Sequence, residues 1–355
     1  MANIFKKIEN TYDKTAKGLN QIWTIVFVLG IGIFLITVVN RSNNTSNNIT
    51  DNAFLCALTP ADEVLKLSTT DLSTVFNLSI VDNEKDLLKT ALTKNSIPAV
   101  ENPRFGKYSE ISPCVSKNEP VFVVKYNEII KIYPRRILEQ HIVINDKFGD
   151  SPVLIAYSPL SNLYNSFIRT YKNEIITFGV SGYLYKNIDL IFDSKSESLW
   201  SIVDGRAIVG SKLGASLEPI LTNEIMTLAE SIDKYPEGLY MNFDTGFRLN
   251  YNSDPFGDYR TNSKTLQQVE EYSDKINSKS NIYGFLIKNK QFYFNPEGLI
   301  LPYEKEINID GVKYKLYITT RGASLKESIS EKSIQIFSIY WFVWYDLFPQ
   351  STEIN

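Results

Sequence analysis

YPRRILEQHIVIND (Tyr133–Asp146), VLIAYSPLSN (Val153–Asn162) and FGVSGYLYKNIDLIFDSKSESLW (Phe178–Trp200) carry the pattern that decides the fold. Short β-branched and aromatic runs alternate in them with small polar turns, which is how strands of a half-buried sheet read. Just upstream, VFVVK and IIKIY flank a turn at Asn127 and predict a hairpin over 121–133, after which Pro134 opens a short helix, RRILEQ. Further strands are expected at Ile142–Ile144, Val153–Tyr157, Tyr164–Thr170, Glu174–Val180 and Ile188–Phe192.

Outside this centre, Leu87, Leu88 and Leu92 share a helical face and predict a helix over Asn83–Thr93. Thr222 or Asn223 can cap a helix running through Lys234 and ending before Pro236. SIQIFSIYWFVWYDLF (333–348) contains Gln335 and Asp346 and is too short and strand-prone for a membrane span, so a buried strand is expected. Placing Tyr133-Pro134 over Asn295-Pro296, an offset of 162, aligns VFVVKYNEIIKIYPRRIL with YGFLIKNKQFYFNPEGLI and sets Asn127 over Asn289. A duplicated hairpin unit, with halves near 121–138 and 283–300, follows from that match.

The chain has 355 residues, 43% hydrophobic and 13% aromatic, enough to bury a large core; 37 basic against 40 acidic residues leave no basic footprint for nucleic acid. IWTIVFVLGIGIFLITVV (Ile22–Val39) is an uncharged run of 18 residues, about 27 Å of helix, and predicts a single membrane span. Lys6, Lys7, Lys14 and Lys17 precede it and only Arg41 closely follows, so residues 1–21 are expected in the cytoplasm and the rest outside. A cleaved secretory signal is the competing reading, and it exports the same residues. Residues 40–52 read as an Asn/Ser/Thr-rich stalk with sequons at Asn40, Asn43, Asn44 and Asn48, and another lies at Asn77. Cys56 and Cys114 sit on the exported side, where a disulfide or two buried thiols are the alternatives.

These blocks resemble the family catalogued as domain of unknown function 3179, whose members read Tyr-Pro-x-x-Ile-Leu, His-x-x-Val-Asn-Asp, Cys-Pro-Leu-Cys, Phe-Gly-Val-Ser-Gly-x-Leu-Tyr and Ser-Leu-Trp-Ser. IPAVENPRF (Ile97–Phe105), DTGFRLNYNSDPFGDY (Asp244–Tyr259) and IYWFVWYDLFPQSTEI (Ile339–Ile354) also look like family blocks, in the expected order. In this family the histidine, here His141, accompanies two cysteines able to bind a soft metal or cycle to a disulfide. This chain has Ser158 and Ser161 at those positions, which are poor ligands for such metals and have no comparable redox chemistry.

His141 is the only histidine, and it reads as a metal ligand, a general base, or a side chain bonded within the domain to Asn145 or Asp146. Ser158, Ser161 and Ser181 are the candidate nucleophiles, although Gly-Val-Ser-Gly-Tyr is not the hydrolase elbow and its glycines suit a turn or bulge. Asp244, Asp254 and Asp258 offer oxygens outside EF-hand spacing. Arg136, Tyr185, Arg248, Tyr251 and Tyr259 form a polar ligand pocket if the blocks converge, and Trp200, Trp341 and Trp344 line a pocket or the core. No phosphate loop or dinucleotide fingerprint is present, and no cofactor is expected.

The expectation is therefore an α+β, β-rich protein: tail 1–21, span 22–39, stalk 40–52, segment 53–96, and a mixed or antiparallel ectodomain over 97–355. The leading functional expectation is a non-enzymatic, outward-facing, membrane-anchored module that binds a ligand or partner. The alternatives are a metal or redox protein using His141 and an accessory subunit of a membrane or envelope complex.

Overall fold

A computed structural model describes residues 87–111, 115–320 and 322–354. The expected tail, membrane run, stalk, sequons and both cysteines lie outside them. Among the described residues no helix is long and apolar enough to cross a membrane.

Two-residue turns shape the chain. At Asn127-Glu128, Lys172-Asn173, Lys186-Asn187 and Lys288-Asn289 both residues have φ between 48° and 65°. This is the type I′ geometry, whose twist matches antiparallel strands and which asparagine tolerates.

Among the described residues five sheets of four or five strands result, in a propeller-like arrangement, besides a two-stranded ribbon. Edge to edge, the first is Asn223–Thr227, Pro120–Tyr126, Ile129–Pro134, Leu239–Met241, Phe105–Gly106; the second is Glu218–Pro219, Leu163–Ile168, Ser151–Ser158, Val143–Phe148, Val100–Glu101. The third is Leu87–Lys89, Phe178–Tyr185, Ile188–Asp193, Leu199–Ser201, Ala207–Val209, all antiparallel. The fourth is Ile336–Tyr340, Asn281–Ile287, Lys290–Phe294, Thr352–Glu353; the fifth is Tyr303–Ile309, Val312–Thr319, Gly322–Glu327, Ser333–Ile334. Leu239–Met241, Val100–Glu101 and Thr352–Glu353 each pair in parallel with their neighbours Ile129–Pro134, Val143–Phe148 and Lys290–Phe294. Four short helices complete the elements among the described residues: Tyr108–Ile111, Arg135–His141, Leu228–Lys234 and Trp341–Leu347.

The duplication is larger than a hairpin, and its register differs by one residue from the sequence match. Tyr126 pairs with Ile129 and Ile287 with Lys290, so the hairpins superpose at an offset of 161, from 126 to 287. Asn127 is first in its turn and Asn289 second; the chemistry each turn needs can be met at either place, so matching asparagines misled the alignment. A strand, a seven-residue helix and a short parallel strand then recur at an offset of 113: Asn223–Thr227, Leu228–Lys234 and Leu239–Met241 against Ile336–Tyr340, Trp341–Leu347 and Thr352–Glu353. The hydrogen bonds repeat with them. Leu228 and Ala229 donate to the carbonyls of Glu119 and Lys117, and Trp341 and Phe342 donate to those of Ser280 and Ser278.

Four expected elements are corrected. Leu87–Lys89 pairs antiparallel with Tyr183–Tyr185 as an edge strand, so the leucines serve a sheet and the part of Asn83–Thr93 that is described is not helical. Thr227, not Thr222 or Asn223, caps the helix ending at Lys234, through a capping box with Glu230; the residues before it are a strand. The C-terminal apolar run is a strand only to Tyr340 and then a helix, Trp341–Leu347, because every face of that segment is packed and no alternation is required. The strand expected over Glu174–Val180 is also broken: Glu174–Ile175 belongs to a two-stranded ribbon with Thr170–Tyr171, and a new strand starts at Phe178.

The two copies divide core volume in opposite ways. A Cβ on Gly284 would lie 2.2 Å from the Trp344 ring, whereas the first copy carries Val123 on the strand and Ser231 on the helix at the matching positions. Gly284→Ala is expected to destabilise the fold by about 1–3 kcal/mol through overpacking, read as a lower urea midpoint with an unchanged slope.

Candidate functional site

His141 ends the helix that Pro134 begins, and its ring is fully buried. Nδ1 lies 2.7 Å from the Pro98 carbonyl and Nε2 lies 2.7 Å from the Tyr251 hydroxyl. A carbonyl can only accept, so Nδ1 carries the proton and Nε2 accepts from Tyr251. Thr245 then donates to the Tyr251 oxygen at 2.6 Å. Burial pushes the imidazole down to about 4, against the partial opposition of the Pro98 bond. The ring is neutral, with both nitrogens engaged, and neither presents a lone pair to a metal or a substrate proton.

The next residue is held in an uncommon conformation. Ile142 has φ 62°, a position that β-branched residues avoid, and it is fixed by its N–H on Leu138 O at 2.7 Å and its carbonyl on Tyr157 N at 2.9 Å. His141 does not meet Asn145 or Asp146, which are spent elsewhere. Asn145 brackets Phe178, donating to its carbonyl at 2.8 Å and accepting from its N–H at 2.9 Å. Asp146 accepts from Lys131 at 2.9 Å through both oxygens and from Tyr133 at 2.6 Å. Alternation along the strand Val143–Phe148 sends these neighbours to opposite faces, toward the third and the first sheet.

Ser158 donates to buried Asp189 at 2.7 Å, joining the second sheet to the third. Burial raises the Asp189 carboxyl to about 6 despite that bond. Ser161 is buried with no partner for its hydroxyl, while its carbonyl accepts from Tyr340 N at 3.0 Å. Ser181 donates to Leu190 O at 2.6 Å and accepts from Tyr183 N at 3.0 Å inside a bulge between Val180 and Leu184. Gly182 completes that bulge at φ 77°, where a Cβ would stand 2.3 Å from the Leu92 carbonyl.

The expected convergence of blocks occurs in part. The loop over Asp244–Tyr259 lies across the helix Arg135–His141: Gln140 donates to the carbonyls of Asn250 and Ser253, and Arg136 to Asn252 at 3.1 Å. Arg136 also binds Glu119 at 3.0 Å, and Tyr259 donates to Leu160 O at 2.9 Å. Arg248 is exposed on the same loop. Tyr185 stands in the third sheet, paired with Leu87 and Ile188. The acidic residues of the loop do not converge on a cation: Asp244 pairs with Arg104 and Asp254 with Arg260, and no cluster of three metal-capable side chains occurs among the described residues. Trp200, Trp341 and Trp344 are core, each with its ring N–H bonded, to Asp193, Ser273 O and Ser351.

A second cluster was not anticipated. Glu139, buried on the same helix, is shared by Arg135, whose Nε lies 3.0 Å away, and by Arg260 from the far end of the loop. Burial raises its carboxyl while the two guanidinium groups oppose the shift. Tyr157 and Tyr164 stack beside it with ring centres 4.1 Å apart. The Nε of Arg260, like the Ser161 hydroxyl, is buried without a hydrogen-bond partner. Arginines in separate sequence blocks give no linear motif, and only the fold places them around one carboxylate.

The sheets and the blocks around His141 define a β-rich, propeller-like domain with a buried histidine and an arginine-lined face. The chain belongs to the family described as Protein of unknown function (DUF3179), whose model matches residues 94–335. No curated protein and no solved structure matches it.

The two perturbed groups pull stability in opposite directions with pH. The unfolded chain protonates His141 near 6.5 and the folded chain only near 4, so stability is lost as pH falls through that window, by about 3 kcal/mol in all. Asp189 does the reverse: the folded form holds its proton up to about 6, so stability is lost as pH rises from 3.8 to 6, again by about 3 kcal/mol. Asp189→Asn is therefore expected to exceed the wild type in stability at pH 7 and to lose stability more steeply between pH 6 and 4.5, measured by urea unfolding; parallel pH profiles contradict this. Tyr251→Phe leaves Nε2 without a donor and is expected to cost about 1–3 kcal/mol in the same assay.

Proposed function

We propose that the chain is a non-enzymatic recognition module, anchored in a cell membrane through Ile22–Val39 and facing outward, that binds an anionic ligand on the face formed by Arg135–His141 and the Asp244–Tyr259 loop. The observation that carries this reading is the convergence of Arg135 and Arg260 on buried Glu139, together with the Arg260 Nε and Ser161 Oγ, which are buried without a partner. Buried donors are rarely left unpaired, and the forked N–H groups of a guanidinium suit a carboxylate or phosphate. The Arg135 side chain is 31% exposed, so the cluster can be reached from solvent. The bonds that consume both nitrogens of His141 support a non-catalytic reading, as do serines where the family carries thiols.

The test is thermal unfolding of the full-length chain titrated with inorganic phosphate against chloride at equal ionic strength. A saturable rise in Tm with phosphate is expected, following the linkage between ligand and folded state, and Arg135→Gln is expected to abolish it. No saturable rise, or a transition metal retained at one per chain and lost in His141→Ala, contradicts the proposal.

A further inference from the structure

The strand Asn223–Thr227 is the edge of the first sheet, hydrogen-bonded on one side only, to Pro120–Tyr126. The Lys125 N–H donates to the Thr222 carbonyl at 2.9 Å, which makes 222/125, 224/123 and 226/121 the hydrogen-bonded pairs of this ladder. Alternation then turns the N–H and C=O groups of Asn223 and Ile225 outward. Those of Asn223 open on a cleft of about 390 Å³ between this edge and the strand Gly322–Glu327 of the fifth sheet. One end is closed, because a Cβ on Gly322 would sit 3.9 Å from the Ile225 nitrogen and Thr320 bonds Glu230 at 3.0 Å.

The internal duplication shows what such an edge looks like when covered. Ile336–Tyr340, the equivalent strand of the second copy, has three of its five residues buried against one in Asn223–Thr227, and its Tyr340 N–H is bonded to Ser161 O. The first copy bonds the matching N–H, of Thr227, to Glu230 at 2.9 Å and leaves Asn223 facing the cleft.

Charge and shape narrow the occupant. Lys125, Lys234 and Lys326 line the cleft, Lys234 being bonded at 2.6 Å to both oxygens of Glu224, the single carboxylate of the lining; half-exposed Leu221 and Tyr317 add apolar surface. Lys125 and Lys326 are held by acids at 3.4 and 3.5 Å on exposed side chains, ion pairs weak enough to be exchanged. We infer that this cleft is a docking site for an extended acidic peptide, which pairs its main chain with the free edge at Asn223 and places its carboxylates against Lys125 and Lys326. Main-chain pairing supplies the affinity in this mode and alternate side chains supply the selectivity.

The experiment is fluorescence anisotropy of the full-length chain with a fluorescein-labelled nonapeptide of alternating valine and glutamate. Two comparators are used: the same peptide N-methylated at alternate amides, which keeps the charge and removes strand pairing, and a valine–lysine peptide. Saturable binding of the parent is expected, weaker by about tenfold or more for both comparators and for Lys326→Glu and Lys125→Glu. Arg135→Gln, on the separate arginine face, is expected to leave binding unchanged. Equal binding of the N-methylated peptide, unchanged binding by both lysine variants, or no saturable binding of the parent overturns the inference.

Discussion

A neutral imidazole held between a carbonyl and a phenol is the contact on which the described fold depends. Pro98 lies in the extended segment that enters the second sheet, His141 ends the helix after the first hairpin, and Tyr251 lies in the long loop that crosses that helix. One ring therefore ties together three stretches far apart in sequence. It does so only in one protonation state, since a second proton would set Nε2 against the Tyr251 hydroxyl proton and put a charge where water is absent. Burial makes that state the stable one.

The residues after the histidine extend the same logic. Asn145 satisfies both main-chain groups of Phe178 in the third sheet, and Asp146 receives Lys131 and Tyr133 from the first. Ser158 reaches Asp189 across the second and third sheets. Each polar side chain of the His-x-x-x-Asn-Asp run thus faces a different neighbour, and a buried polar group so committed resists replacement because its partner would be stranded. A cluster that reads as chemistry in one dimension is, in three, a set of ties between sheets. The arginines that meet at Glu139, two residues before the histidine, are a separate cluster.

Much of this was legible beforehand. Strand positions in the central region, the hairpin at Asn127, the helix after Pro134 and the bulge at Ser181-Gly182 follow from local rules that the fold does not override. The errors share a cause: packing decided what local pattern left open. Leu87 and Leu88 suit a helix face or a sheet edge equally, and Thr227 is hidden as a cap because the strand before it contains residues that also begin helices. The one-residue error in the duplicated hairpin came from aligning like residues rather than like turn positions, and the second half of each copy was missed because 88 residues in the first copy (135–222) and 41 in the second (295–335) separate it from its hairpin. The arginine cluster has no linear signal at all.

Because the chain has a single histidine, its ring can be observed without ambiguity in an untagged sample. The direct measurement is a long-range ¹H–¹⁵N NMR titration of the His141 ring nitrogens between pH 8 and 4. Nδ1 is predicted to show the shift of a protonated nitrogen and Nε2 that of a hydrogen-bonded acceptor, with no titration above about pH 5. A midpoint near 6.5, the opposite tautomer, or an Nε2 shift that moves on chelation of a metal would contradict the account.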